Sequence, residues 1–118
     1  MPAQPPYKAL DIYHVSKKLV AGCYELTHHL PPEEKTNLVQ YIRSAAVTVH
    51  LHIAQGTFLK RKKKKKKAIR SIQNALLVIN AALEVLVEVG FVGEDRVIEL
   101  TDLTSACYDI LDDLKKGK

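Results

Sequence analysis

Nine cations crowd one short stretch of this chain: Lys60, Arg61, Lys62, Lys63, Lys64, Lys65, Lys66, Lys67 and Arg70. Consecutive lysines supply positive charge without geometric selectivity, which is what a polyphosphate backbone requires of its partner. Aromatic stacking residues are missing from the run, Phe58 being the nearest, and arginines are few. That pattern predicts sequence-independent contact with RNA or DNA through phosphates rather than base reading. Arg43 is a weaker candidate for the same contact, because a lone Arg in an apolar helix equally suits a structural ion pair. Two other uses of the run stay open. It could be a solvated, self-repelling connection that aids solubility. It could also meet an anionic membrane surface, although no amphipathic basic helix with bulky apolar anchors accompanies it. Against mere solvation, like charges four residues apart weaken a helix, and cations are disfavoured at a helix N-terminus. An anionic partner would relieve both.

The remaining residues offer little chemistry. Five histidines invite a metal-site reading, but His50 and His52 are two apart, pointing about 200° from each other on a helix. His28 and His29 fall at a helix end, where imidazolium meets the dipole favourably. No cysteine pair has zinc spacing, and no carboxylate–histidine pattern fits a di-metal bundle. A glycine-rich phosphate loop and a credible Ser/His/Asp grouping are also missing. The expectation is a non-catalytic protein with no metal and no cofactor. Cys23 and Cys107 fall in apolar helical patterns and are read as buried, reduced thiols. No secretory leader pattern occurs at residues 1–6 and no apolar stretch approaches the length of a membrane span, so the expected location is cytoplasmic, with no membrane partner.

Four helices must position the basic run. In 118 residues, 47% are apolar, Trp is absent and aromatics make up 6%, a composition suited to helix-on-helix packing in one domain. Net charge is +5 from 18 basic and 13 acidic residues; without the nine clustered cations the rest stands at nine against 13, or −4. The chain is therefore mildly acidic with one intensely basic segment. Residues 1–7, with three prolines, read as a flexible lead-in to one domain over residues 8–116. A first helix is expected over about 8–29, with Ile12, Val15, Leu19, Cys23 and Leu26 inward, ended by Pro31 and Pro32. A second should cover about 33–56, burying Leu38, Ile42, Ala45, Val49 and Ile53. Residues 60–67 form a basic connection that runs into a third helix over about 62–90. There Ile69, Ile72, Leu76, Ile79, Leu83, Leu86 and Gly90 keep a 3,4 spacing. Beside them lies a second stripe of Ala68, Ala75, Ala82 and Val89, flanked by Val78 and Val85. Two stripes on one helix predict that it also packs against another subunit. A fourth helix, about 94–115, should bury Val97, Leu100, Leu103, Cys107, Ile110 and Leu114. Short connections give an antiparallel up-down-up-down four-helix bundle, all-α.

Particular stretches carry a family resemblance: Tyr7-Lys8-Ala9-Leu10-Asp11-Ile12-Tyr13, then Leu30-Pro31-Pro32-Glu33-Glu34, then Ile42-Arg43-Ser44-Ala45-Ala46, and finally His52-Ile53-Ala54-Gln55-Gly56. Together they resemble the four-helix-bundle family of proteins encoded in intervening sequences of bacterial 23S ribosomal RNA genes. The same family includes the accessory variability determinants of diversity-generating retroelements. It commonly has Asn-Ile-Ala-Glu-Gly where this chain has His52-Ile53-Ala54-Gln55-Gly56, and a mixed polar segment where this chain has lysines. The resemblance implies a closed homo-oligomer, a pentameric barrel, which would gather five lysine runs on one rim. It also implies, for the retroelement branch, association with a reverse transcriptase and with nucleic acid. The leading expectation is thus a basic accessory protein holding RNA or DNA for a reverse transcriptase. The rivals are an rRNA intervening-sequence protein, whose molecular role is obscure, and an oligomeric protein scaffold whose lysines only solubilise or steer.

Overall fold

The 3,4 spacing of Ile and Leu from Ile69 to Leu86 produces the longest element, helix α3 (Lys62–Glu88). In the computed structural model, which describes residues 11–56 and 60–116, it is joined by α1 (Asp11–His28), α2 (Leu38–Gly56) and α4 (Glu94–Lys115). No strand occurs among the described residues. Helix α2 packs on α1 and α3, and α4 closes a four-helix bundle by packing on α1 and α3. The expected lead-in at 1–7, the first turn at 8–10 and Phe58 lie outside the described residues.

Local chemistry explains the helix ends. Pro31 and Pro32 do not open α2 directly; they set a short 3-10 turn, Pro32–Glu34. Asn37 then starts α2: its carbonyl accepts the Tyr41 amide at 3.0 Å and its side chain donates to Glu34 Oε1 at 3.0 Å. The second helix thus begins at Leu38, later than the expected residue 33. Helix α3 ends at Glu88 rather than at residue 90, because Gly90 takes φ +80°. The Phe91 amide bonds to Leu86 O and the Gly90 amide to Val87 O, each at 3.0 Å. This paired closure needs a left-handed residue, which glycine adopts without a Cβ penalty. Gly90 therefore ends the apolar stripe and is not a member of it.

The core is aliphatic. Ile12, Leu19, Ile42, Ile53, Ile69, Ile72, Leu76, Ile79, Leu83, Leu86 and Leu111 are all essentially inaccessible. On α4 the buried face is Val97, Leu100, Thr104, Cys107 and Leu111, with Leu103, Ile110 and Leu114 only partly covered. Thr104 can sit inward because its hydroxyl lies 2.6 Å from Asn80 Oδ1 and 2.8 Å from Thr101 O, so a buried polar group is satisfied. On α2, similarly, Val39 and Ala46 are buried where Leu38 and Ala45 were expected. Helix α3 is also, by length and composition, apolar enough to cross a membrane, contrary to the expectation. The Ile and Leu residues of its 3,4 stripe are buried in the bundle core, while Leu77, Val78 and Val85 add apolar residues on its exposed side.

Cys23 and Cys107 are free and fully buried. Burial pushes both thiols from the ordinary 9.0 up to about 12, because the thiolate loses its hydration. The folded state therefore holds protons that the unfolded chain releases near pH 9. This contribution to stability is full below about pH 9 and is lost as pH rises towards 12. Native protein is expected to resist a thiol-specific dye at about pH 8, and its urea midpoint should fall progressively above about pH 9. Stoichiometric labelling of both thiols in the folded state would contradict this burial.

Candidate nucleic-acid interface

Lysines 62 to 67, placed by the expectations in both the basic connection and the helix from about residue 62, are all helical and form the opening turns of α3. Only Lys60 and Arg61 precede the helix, Arg61 acting as an extended N-cap residue with no side-chain capping bond. All are exposed except Lys65, which is half-buried. Helical geometry gives each lysine a rise of about 1.5 Å and a turn of about 100°, so the ammonium groups radiate around one axis rather than trailing along a strand. Among the described residues no carboxylate pairs with any cation of residues 60–70; the two ion pairs present are elsewhere. The first turn of α3 holds no acidic residue. Six like charges thus stand at the positive end of a helix dipole without internal neutralisation.

A second basic element packs farther along α3. Gln73, buried on α3, donates to Tyr108 O at 3.4 Å and accepts from Lys115 Nζ at 3.2 Å. Lys115 of α4 is thereby held beside α3 three turns beyond Lys62, and Lys116 follows as the C-cap of α4. Asp112 lies 3.5 Å from Lys115 and 3.3 Å from Lys116. The Lys116 contact, then Gln73, holds the Asp112 carboxyl below its ordinary range. That carboxylate partly offsets the two lysines, so the α3 run remains the stronger field.

Arg43 stands apart from this surface. Its Nε donates to Thr27 Oγ1 at 2.8 Å, its Nη2 reaches Tyr24 O at 3.4 Å, and its guanidinium lies 4.5 Å from the Tyr24 ring centre. It ties α2 to the last turn of α1, 13 residues or about 20 Å of helix from Gly56. No ion pair is involved. Its partner Thr27 is buried and also bonds Cys23 O at 2.6 Å.

The proposed subunit-contact residues divide into two groups. Val78, Val85 and Val89 are exposed, as is Leu77. Ala68 and Ala75 are half-buried, and Ala82, 9% accessible, belongs to the core of the single chain. A Cβ placed on Gly56 would come within 2.7 Å of the Ala68 Cβ, so small residues here let α2 approach α3 closely. Ala75 and Ala82 follow at heptad intervals on the same side. Ala68 thus lies on a seam between α2 and α3 and Ala82 in the core of the chain, whereas Leu77, Val78, Val85 and Val89 are exposed.

One serine–histidine contact resembles a catalytic pair and is not one. His50 Nδ1 lies 2.8 Å from Ser16 Oγ, and Ser16 donates to Tyr13 O at 2.9 Å. The serine is fully buried, so no substrate reaches it, and its oxygen accepts from the imidazole. Burial, then the charge of Lys17, lowers the His50 pKa, keeping the ring neutral against Tyr13 at 4.6 Å. The contact pins α1 to α2, and an isolated Ser on an apolar face is its one trace in the sequence. Among the described residues no group of three or more His, Cys, Asp and Glu could hold a metal.

The family model for the 23S rRNA-intervening sequence protein matches residues 8–113 of this chain. No curated protein sequence matches it.

Proposed function

The chain belongs to the 23S rRNA-intervening sequence protein family, and from that membership we propose that it is a non-catalytic nucleic-acid-binding protein that grips phosphates with the first turns of α3. The observation that carries this reading is the unneutralised set of helical lysines at residues 62–67, joined by Lys60, Arg61 and Arg70. Such a surface works against the local stability of its own helix, and a polyanion reverses that penalty. The family is described by an RNA gene insertion and not by a reaction, which agrees with an accessory role. RNA and DNA are both accepted, because neither aromatic stacking groups nor a fork of arginines accompanies the lysines.

In the same reading the four helices alternate in direction. The pairings Ser16 with His50, Thr27 with Arg43, Gln73 with Lys115 and Asn80 with Thr104 support this up-down-up-down order. The exposed valines of α3 join copies of the chain into a closed ring, a pentamer, that presents several lysine helices together. A reverse transcriptase is the protein partner in this proposal, on the resemblance to retroelement accessory proteins alone.

The test is the affinity of nuclease-treated protein for mixed-sequence RNA and duplex DNA across a salt series. With about four to eight phosphates neutralised, log affinity should fall against log salt with a slope of about −4 to −7 on duplex DNA. Absence of binding even at low salt would overturn the proposal and leave the lysines as solubilising charge on a scaffold.

A further inference from the structure

The lysines of α3 are not equivalent. Lys64 and Lys67 line a cleft of about 320 Å³ between the end of α2 and the start of α3, together with Ser71 and, from α2, His52 and Gln55. Its floor is Gly56 and Ala68, where the helices come so close that no larger residue fits. We propose that this cleft is a discrete phosphate-binding subsite that seats one phosphodiester of a single-stranded nucleic acid; the proposal rests on the nucleic-acid reading above.

Helical spacing makes the arrangement. Lys64, Lys67 and Ser71 recur at i, i+3 and i+7, so they share one face of α3. His52 and Gln55 are likewise three apart on α2. Two ammonium groups, an imidazole, a carboxamide and a hydroxyl thus border one opening. No carboxylate of the described residues lines it. Among the described residues none of these five side chains makes a side-chain hydrogen bond or ion pair with another protein group, so their donors remain for a ligand. Two cations and neutral donors around one anion are the ingredients of charge-assisted hydrogen bonding. Lys62, Lys63 and Lys66 do not line the cleft and contribute only to the diffuse field.

The other large cleft shows what such a site is not. Between α1 and α4 about 490 Å³ is bordered by Lys18 and Arg96 but also by Glu25, Asp95 and Glu99. Three carboxylates against two cations repel a phosphate.

A matched pair of variants tests the cleft against the bulk field. K64Q/K67Q and K63Q/K66Q remove the same charge at the same spacing, and both are compared with the full chain on a mixed-sequence single-stranded RNA. The cleft pair is expected to bind about tenfold more weakly than the control pair at equal salt. Q55L should also weaken binding several-fold while leaving the salt slope unchanged, since it removes a donor and not counterion-releasing charge. Titration with adenosine 5′-monophosphate should shift backbone amide signals at residues 52–56 and 64–71. Equal affinities for the two lysine pairs, with wild-type RNA binding intact, would overturn the subsite and leave the general interface standing. Absence of wild-type RNA binding would overturn both. Equal sensitivity of the cleft variants towards poly-glutamate would assign the cleft to an acidic peptide and overturn the phosphate assignment.

Discussion

Glutamine at all six positions from 62 to 67 is expected to abolish nucleic-acid binding while leaving the bundle folded. Each lysine on a phosphate contributes about −0.9 to the salt slope on duplex DNA, so losing six should flatten the slope almost completely. Affinity at about 0.1 M salt should fall by two orders of magnitude or more. Stability should move the other way. Pairs such as Lys62 with Lys66 and Lys63 with Lys67 repel by about 0.2–0.5 kcal/mol each, and each cation in the first turn opposes the helix dipole by about 0.3–1 kcal/mol. The variant should therefore melt at the same temperature or higher, which separates loss of function from loss of fold. Arg43→Gln serves as the control: it breaks the ties to Thr27 and Tyr24 and should lower stability without changing affinity. Unchanged RNA affinity in the six-glutamine variant would remove the lysines from the mechanism.

How much of this was legible in the sequence depends on residue type. Ile69 to Leu86 were readable because large aliphatic residues at 3,4 spacing have one way to escape water. Their burial is complete. Small residues carry no such signal: Ala68, Ala75 and Ala82 are equally at home on a seam between helices of one chain or between chains. Only the approach of Gly56 to Ala68 tells which. Polar residues mislead for a different reason. Ser16, Thr27, Gln73 and Thr104 look like surface positions, yet all are buried because a long-range partner satisfies them: His50, Arg43, Lys115 and Asn80 respectively. A single sequence displays the hydroxyl but not the partner 16 to 42 residues away. The lysine run was legible as charge and as the opening of a third helix from about residue 62, where α3 begins at Lys62. Its like charges disfavour helix locally, and packing of Ile69 and Ile72 behind it outweighs that penalty of a few kcal/mol.

The proposed assembly can be tested on the valine face without disturbing the single chain. Val78→Glu with Val85→Glu should yield a folded monomer. Both side chains are more than two-fifths exposed, at 46% and 43%, so charges there meet water when the chain is alone. In a ring they would be trapped unpaired against a neighbouring subunit, costing several kcal/mol per contact. Ala82→Glu, one turn away but 9% accessible, should instead unfold the chain, because its charge would enter the aliphatic core beside Leu83 and Leu86. Sedimentation and circular dichroism then read two distinct failures: mass lost with helicity kept, against helicity lost. The double valine variant retains every lysine, so its RNA affinity isolates multivalency, and the loss of simultaneous engagement should weaken binding by about a hundredfold. Wild-type mass in that variant would place the subunit contact off the α3 valines. A folded monomer with undiminished affinity would mean that one lysine helix suffices, and that the ring serves something other than the grip on phosphate.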